Sequence, residues 1–96
     1  MSLFETGPVV VTTGIREKIE SGYQDTVQLC LNRHMSGDWG SQCDDDRKMN
    51  DDSLKAEKNG GSTDSLFSCY ETDIGKIYII TEYDRSVTTI LLSEEY

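Results

Sequence analysis

The sequence predicts an α+β fold: a three-stranded antiparallel meander at the C-terminus, with an N-terminal strand as a candidate fourth strand and two or three helices packed on one face. The runs Ile77–Thr81 and Val87–Leu92 are the densest in β-branched and aromatic residues, a composition typical of strands. The polar segment Tyr83–Ser86 between them predicts a hairpin turn. Because neighbouring residues in both runs are apolar, we expect this hairpin to lie centrally, with both faces covered.

Two further strands are predicted outside this hairpin. Leu66–Thr72 alternates in polarity, and the following Asp73–Gly75 provides a short turn that ends in glycine. Near the N-terminus, Pro8–Thr13 is a β-prone run whose proline stands at its start, where an edge strand tolerates it. The meander therefore comprises the last three predicted strands, and Pro8–Thr13 is predicted to be an edge strand.

Three helices are predicted between the first strand and the meander. The first runs from Gly14 to Ser21, with Thr13 as its N-cap and Gly22 as its left-handed end. The second begins at Asp25 and ends at Gly37. Its apolar face contains residues at helical spacing, Val27, Cys30, Leu31 and His34.

The third helix, Asp44–Lys58, is polar almost all round, so we expect it to lie on the surface. The glycine-rich stretch Asn59–Asp64 after it predicts a flexible loop. The chain has 96 residues, which is the size of one domain with a modest core. We therefore expect residues 1–96 to form a single domain.

The composition is strongly acidic, with 18 Asp and Glu against 9 Lys and Arg and a net charge of −9. Such a chain is repelled by nucleic acid and by anionic membranes, and it suits a basic protein surface that normally holds nucleic acid. Solubility alone is the alternative explanation. No apolar stretch approaches the ~20 residues of a membrane span, and Met1–Glu5 lacks the features of a signal peptide. We expect a cytoplasmic protein.

The most specific candidate site is a zinc site formed by Cys30, His34, Asp38 and Cys43. Cys30 and His34 are four residues apart on a predicted helix, so their side chains are neighbours. The glycines of Gly37–Cys43 allow Asp38 and Cys43 to fold back over that helix end, and all four side chains are zinc ligands.

The same residues also have a purely structural interpretation. Cys30 then behaves as a small hydrophobic residue of the core, and His34 interacts with the C-terminal dipole of its helix. The three cysteines include no Cys-x-x-Cys pair, which standard zinc ribbons contain. A nucleophilic cysteine with a histidine base is not favoured, because a shared core-facing position hides both from substrate. We expect no enzymatic activity.

Exposed carboxylates form the candidate partner-binding surface. They follow the predicted third helix, as Asp44, Asp45, Asp46, Asp51, Asp52 and Glu57, and the last hairpin turn, as Asp84. Such a row imitates a phosphate backbone, whereas a solvated helix face is the simpler interpretation. Trp39, between Asp38 and Gly40, is predicted to fill the core next to the helix end, with an exposed binding anchor as the alternative.

Two segments carry a resemblance to a known family: 33–40, with the sequence RHMSGDWG, and 79–96, with the sequence IITEYDRSVTTILLSEEY. Together they resemble a family of small acidic proteins carried on plasmids, phages and other bacterial mobile elements, labelled plasmid-related or, loosely, type I restriction subunits. The resemblance covers about residues 7–96. The chain departs from the family pattern at Cys30, at the glycine-rich 59–62 loop and at Ser93, where proline is expected.

The resemblance implies an accessory of conflict between mobile elements and their hosts. An anti-CRISPR or anti-restriction inhibitor is expected, which binds an RNA-guided CRISPR nuclease or a restriction enzyme and blocks the loading of guide or target DNA. No direct binding to nucleic acid or membrane is expected, and the chain should be a monomer or weak dimer in the bacterial host cell. The alternative function is a small structural zinc-binding accessory protein. Because Cys30 is additional to the family pattern, a metal site would be anchored on His34, Asp38 and Cys43.

Overall fold

Four strands form one mixed sheet in the order β1-β4-β3-β2. The computed structural model describes residues 3–41, 44–61 and 63–96. The strands are β1 (Val9–Val11), β2 (Leu66–Thr72), β3 (Gly75–Thr81) and β4 (Thr88–Leu92). The α+β prediction is confirmed, including the antiparallel meander of β2, β3 and β4 and the central position of the last hairpin.

The N-terminal strand joins the sheet as an edge strand, as predicted, and it does so in parallel with β4. Val9, Val10 and Val11 lie opposite Thr88, Thr89 and Ile90. A parallel neighbour requires a long connection, and here that connection contains all three helices and two of the strands. The first and last parts of the chain are therefore held side by side.

Three α-helices accompany the sheet: α1 (Thr13–Lys18), α2 (Gln24–Met35) and α3 (Asp44–Lys58). A turn of π-helix at Ile19–Tyr23 joins α1 to α2, and Gly22 within it has a φ of 102°, in agreement with its predicted left-handed conformation. A 3-10 turn, Ser93–Glu95, follows β4. Most of the predicted helix bounds are correct to within a few residues.

The predicted N-cap of α1 is wrong. The helix includes Thr13, and Thr12 precedes it without a side-chain hydrogen bond to the helix backbone. Glu95 instead accepts hydrogen bonds from the Gly14 N–H, at 3.0 Å, and from the Thr12 hydroxyl, at 2.5 Å. The start of α1 is thus capped by a residue about eighty positions away, which no local pattern reveals.

Alternation along the strands gives the sheet two faces of different character. One face packs against α1 and α2, where Ile15, Val27 and Cys30 form a core cluster with sheet residues, Tyr70, Ile77, Ile79, Ile90 and Leu92. The second face carries Phe67, Tyr78 and Ile80, which are only half-buried. The expectation that both faces of the hairpin are covered is therefore confirmed for the face that packs against the helices. The second face is only partly covered.

The free edge of β2 is covered by side-chain and loop contacts. The Asn50 amide of α3 donates to the Phe67 carbonyl at 2.7 Å and accepts from the Phe67 N–H at 3.2 Å, as a neighbouring strand would. Next along the strand, the Cys69 N–H donates to the Trp39 carbonyl and the Ser41 N–H donates to the Cys69 carbonyl. Gly40 between them has a φ of 81°, and a Cβ there would lie 1.9 Å from the Cys69 carbonyl oxygen.

We expect Asn50→Asp to lower the free energy of unfolding by about 2 kcal/mol, because the Phe67 carbonyl loses its donor and faces a carboxylate instead. Urea unfolding followed by circular dichroism measures this. Asn32→Asp is the matched control, because Asn32 lies exposed on α2, where its amide oxygen accepts from Gln28. Equal losses in the two variants would contradict the role assigned to Asn50.

Hydrogen bonds attach the described residues of the loop after α3 to α3 and to the β3–β4 turn. The Ser53 hydroxyl donates to the Asp64 carbonyl at 3.0 Å and accepts from the Asp64 N–H at 2.9 Å. The Thr63 hydroxyl donates to the Tyr83 carbonyl, which connects this loop to the β3–β4 turn. Ser62 lies outside the described residues, and the predicted flexibility of 59–64 stays a prediction.

Candidate functional site

The predicted zinc ligands occupy distinct environments. Cys30 lies in the core cluster beneath α2, and burial raises the pKa of its thiol. Asp38 accepts two hydrogen bonds from the Arg33 guanidinium, at 2.8 and 3.2 Å, which lower the pKa of its carboxyl. His34 is completely buried near the C-terminal end of α2, on the same helix face as Cys30. Cys43 lies outside the described residues.

Both ring nitrogens of His34 are engaged by hydroxyls of the sheet. Nδ1 lies 2.5 Å from the Ser68 Oγ, and Nε2 lies 2.9 Å from the Thr81 Oγ1. The Thr81 hydroxyl lies 2.7 Å from that of Thr88, which in turn donates to the Thr6 carbonyl at 2.8 Å. These groups form one buried chain of hydrogen bonds, from Ser68 in β2 to the segment that precedes β1.

The direction of this chain assigns the tautomer of His34. The Thr6 carbonyl only accepts, so Thr88 donates to it and must accept from Thr81. Thr81 has then used its hydrogen and accepts from the His34 Nε2–H. Neutral His34 consequently accepts from Ser68 at Nδ1, which satisfies every polar atom of the ring.

The surroundings of His34 favour this neutral form. Burial, and secondarily the charge of Arg85, lower its pKa to about 4. Phe4 and Trp39 contact the ring edge-to-face, with centroid distances of 5.4 and 5.5 Å. The arrangement links α2 to three separate parts of the chain and presents no ring nitrogen to solvent.

Among the residues that the structure describes, no group of three or more His, Cys, Asp and Glu side chains could hold a metal ion. Zinc binding at the predicted set stays a prediction, because Cys43 is outside those residues. It would require His34 to exchange a hydroxyl partner for the metal. Metal analysis of protein purified without chelator tests it: one zinc per chain, lost in Cys43→Ser, would support the site, and zinc-free protein would contradict it.

Arg85 forms a second buried polar centre, in the turn between β3 and β4. Its guanidinium donates to the Glu57 carboxylate at 3.2 Å, to the carbonyls of Asp64 and Glu82 at 2.9 and 3.2 Å, and to the Ser53 hydroxyl at 3.3 Å. Only 8% of Arg85 is exposed. The sequence predicts a polar turn around this arginine, but no local pattern indicates that its side chain joins the turn to α3.

The predicted partner-binding carboxylates divide into two groups. Some stabilise the fold: Asp51 accepts from the Trp39 indole N–H at 2.9 Å, and Glu57 binds Arg85. Asp84 accepts from the Ser86 hydroxyl and backbone N–H, which lower the pKa of its carboxyl, yet its side chain remains exposed. Burial of Trp39, at 3% exposure, agrees with the core-filling interpretation.

The other predicted carboxylates face solvent from α3. Asp45 and Asp46 are exposed, and Asp52 is exposed in an i,i+4 pair with Lys48. The side chain of Asp44 is outside the described part of the chain. The Glu57–Arg85 bond holds the β3–β4 turn, which contains the exposed Asp84, beside the C-terminal half of α3. We call Asp45, Asp46, Asp52 and Asp84 the acidic surface.

Aromatic side chains on the second face of the sheet form another group that sequence analysis did not identify. Phe67, Tyr78 and Tyr96 contact one another with centroid distances of 5.0 to 5.9 Å, and 76% of Tyr96 is exposed. The alternation of Leu66–Thr72 placed Phe67 and Cys69 on the same side. What was missing was the register with β3, which places Tyr78 opposite Cys69 and therefore diagonally next to Phe67.

The helices in the described ranges include none of sufficient length and apolarity to traverse a lipid bilayer. Comparisons with known proteins add no relative: no family model, no curated protein and no solved structure matches the chain. The family resemblance of segments 33–40 and 79–96 therefore stays a prediction, and function must be argued from the residues themselves.

Proposed function

We propose that this chain is a small acidic inhibitor from a bacterial mobile element that binds a nucleic-acid-handling defence nuclease. It covers the basic surface of an RNA-guided CRISPR nuclease or a restriction enzyme and blocks the loading of guide or target DNA. The observation that supports this most is the exposed acidic surface on α3 and the β3–β4 turn, in a chain with twice as many acidic as basic residues.

The dimensions of the acidic surface suit a nucleic-acid channel. A helix of 15 residues such as α3 is about 22 Å long, and the turn that contains the exposed Asp84 is bonded to its C-terminal half through Arg85 and Glu57. The exposed basic residues Arg47, Lys48, Lys55 and Lys58 alternate with the carboxylates along α3, so the largest group of acidic residues without a base between them is the one at its start, Asp44–Asp46. Lysine and arginine residues that normally bind phosphates would bind these carboxylates instead.

The physical basis of the inhibition is competition between two anions for one basic surface. Exposed ion pairs are screened by salt, so binding should weaken as ionic strength rises. Inhibition should also depend on the order of addition, because a nuclease already loaded with DNA presents fewer unoccupied basic side chains.

A cleavage assay with a programmed RNA-guided CRISPR nuclease tests the proposal. The protein is added before or after the target DNA, with an unrelated acidic protein of equal net charge as control. Protection that requires addition before DNA and declines with salt supports the proposal for that nuclease. Absence of protection at large excess, repeated with a restriction enzyme, would contradict it.

Neutralising the acidic surface provides the sharper prediction. We expect the triple variant Asp45→Asn, Asp52→Asn, Asp84→Asn to inhibit about ten- to a hundredfold less well, since each exposed ion pair contributes roughly 0.5–1 kcal/mol. The matched control is Glu17→Gln, Glu20→Gln, Asp25→Asn, which removes the same charge from exposed positions on the α1–α2 side. Equal loss in both variants would show that net charge, and not this surface, is responsible.

A further inference from the structure

The two edges of the sheet are treated differently. The edge of β2 is covered by Asn50 and by the segment Trp39–Ser41. At the opposite edge, Val9, Val10 and Val11 of β1 are exposed by 40, 45 and 38%. An exposed strand edge is a template for pairing with another chain. The length of β1, three residues, limits such pairing, but the strand contains neither a charged residue nor a proline.

At this edge the backbone of β1 has N–H and C=O groups that bond to no other residue in the described part of the chain. The Thr88 N–H donates to the Pro8 carbonyl and the Thr12 N–H donates to the Ile90 carbonyl, so even-numbered residues face β4. Because alternate residues of a parallel strand point to opposite sides, the N–H and C=O groups of Val9 and Val11 point away from the sheet. Two donor–acceptor pairs, two residues apart, are the pattern that an antiparallel neighbour requires.

We propose that the outer edge of β1 pairs with β1 of a second copy of this chain. In an antiparallel arrangement, Val9 of each copy exchanges both backbone hydrogen bonds with Val11 of the other. Val10 then lies opposite Val10 of the partner copy, next to a two-fold axis perpendicular to the sheet. The contact is the same patch on both chains and closes as a dimer, with one continuous eight-stranded sheet.

The distribution of charge favours a second copy as the occupant. Two chains of net charge −9 repel each other, so they associate most easily where neither carries charge. The segment from Thr6 to Ile15 contains no charged residue, although 28% of the chain is charged. The edge of β1 lies in the middle of this segment, and the carboxylate of Glu95 contacts the segment at Thr12 and Gly14, beyond the end of the strand. The valines of β1 present the same apolar surface to each other.

Ionic strength distinguishes this contact from the proposed binding to a nuclease. Screening reduces the repulsion between two acidic chains, so dimerisation should strengthen as salt rises. Binding of the acidic surface to a basic partner should weaken under the same change. The inference does not depend on the proposed function, because the dimer forms from the purified chain alone.

Sedimentation equilibrium of the purified protein, over a range of concentrations and salt, is the test. We expect a monomer–dimer equilibrium that moves towards dimer in high salt. Val10→Lys and Val10→Asp should each raise the dissociation constant at least tenfold, because like charges then lie opposite each other at the two-fold axis. An equimolar mixture of the two variants should regain the dimer, which general damage to the fold would not produce.

Further variants keep the inference testable if a charge at position 10 prevents folding. Val11→Pro removes an N–H that points away from the sheet and makes no hydrogen bond to β4. This variant should therefore also weaken the dimer. Tyr96→Ser alters the second face of the sheet and should leave the dissociation constant of the dimer unchanged. A protein that stays monomeric at every concentration and salt, or a dimer lost in Tyr96→Ser and kept in Val11→Pro, would overturn the inference.

Discussion

Replacing Arg85 with methionine is expected to lower the free energy of unfolding by about 3 kcal/mol. The guanidinium is buried and binds one carboxylate, two carbonyls and one hydroxyl from three segments. Methionine retains most of the apolar stem and removes the donor to the Glu57 carboxylate, whereas the Asp64 carbonyl, the Ser53 hydroxyl and the Glu82 carbonyl each keep one other hydrogen bond. Removal of the guanidinium also breaks the bond that joins the β3–β4 turn to α3.

Chemical unfolding of Arg85→Met and Arg16→Met gives the comparison. The Arg16 side chain is 76% exposed and lies 4.0 Å from Glu20. Its replacement should lower the free energy of unfolding by only a small fraction of what a typical exposed ion pair contributes. Arg85 has a φ of 60°, and methionine experiences the same backbone strain, so strain does not contribute to the difference. A loss no larger for Arg85 than for Arg16 would contradict the structural role.

The stability of the protein should fall steeply in acid because of His34. Its pKa is lowered to about 4 in the folded state from an ordinary value of 6.5. Between these values the unfolded chain binds more protons, so unfolding becomes easier as pH falls from 6.5 towards 4, and the full stability is present above 6.5. The shift corresponds to about 3 kcal/mol, because each pKa unit is worth about 1.4 kcal/mol.

Thermal and urea unfolding across this pH range, for the natural protein and His34→Gln, isolates the effect. Glutamine does not titrate, and its amide supplies one donor and one acceptor for the hydroxyls of Thr81 and Ser68. The carboxyls of Asp38 and Asp84, whose pKa values are lowered by hydrogen bonds, also lose their interactions in acid and do so in both proteins. Parallel pH profiles for the two proteins would contradict the assignment to His34.

The candidate sites show how far side-chain chemistry can be predicted from local spacing. His34 was correctly placed on the apolar face of α2, with Val27 and Cys30. The residues that bind its ring, Ser68 and Thr81, are 34 and 47 positions away, and each is an ordinary strand residue by sequence. A histidine beside a cysteine on a helix predicts a metal ligand or a core residue equally well, and only the distant hydroxyls decide which nitrogen carries the proton.

Residues distant in the chain also decide which carboxylates stabilise the fold and which remain exposed. The composition established that α3 is an acidic surface helix, and Asp45, Asp46 and Asp52 are indeed exposed. It did not reveal that Asp51 binds the Trp39 indole or that Glu57 binds Arg85, because both partners lie at least twelve residues away. Thus the acidic composition of α3 correctly predicted exposed carboxylates on this helix. It did not predict that two of them, Asp51 and Glu57, form hydrogen bonds within the fold.

Local patterns in the sequence are enough to predict the class of fold, the order of its elements and most of their bounds. Strand β2 and helix α3 begin and end where composition and turn residues predict, because propensity, capping and hydrophobic periodicity act over a few residues. The tertiary structure alone decided that β1 pairs in parallel with β4, that Glu95 caps α1 and that Asn50 covers the edge of β2. Each of these contacts joins segments distant in the chain, so its geometry depends on how the whole sheet and its helices pack.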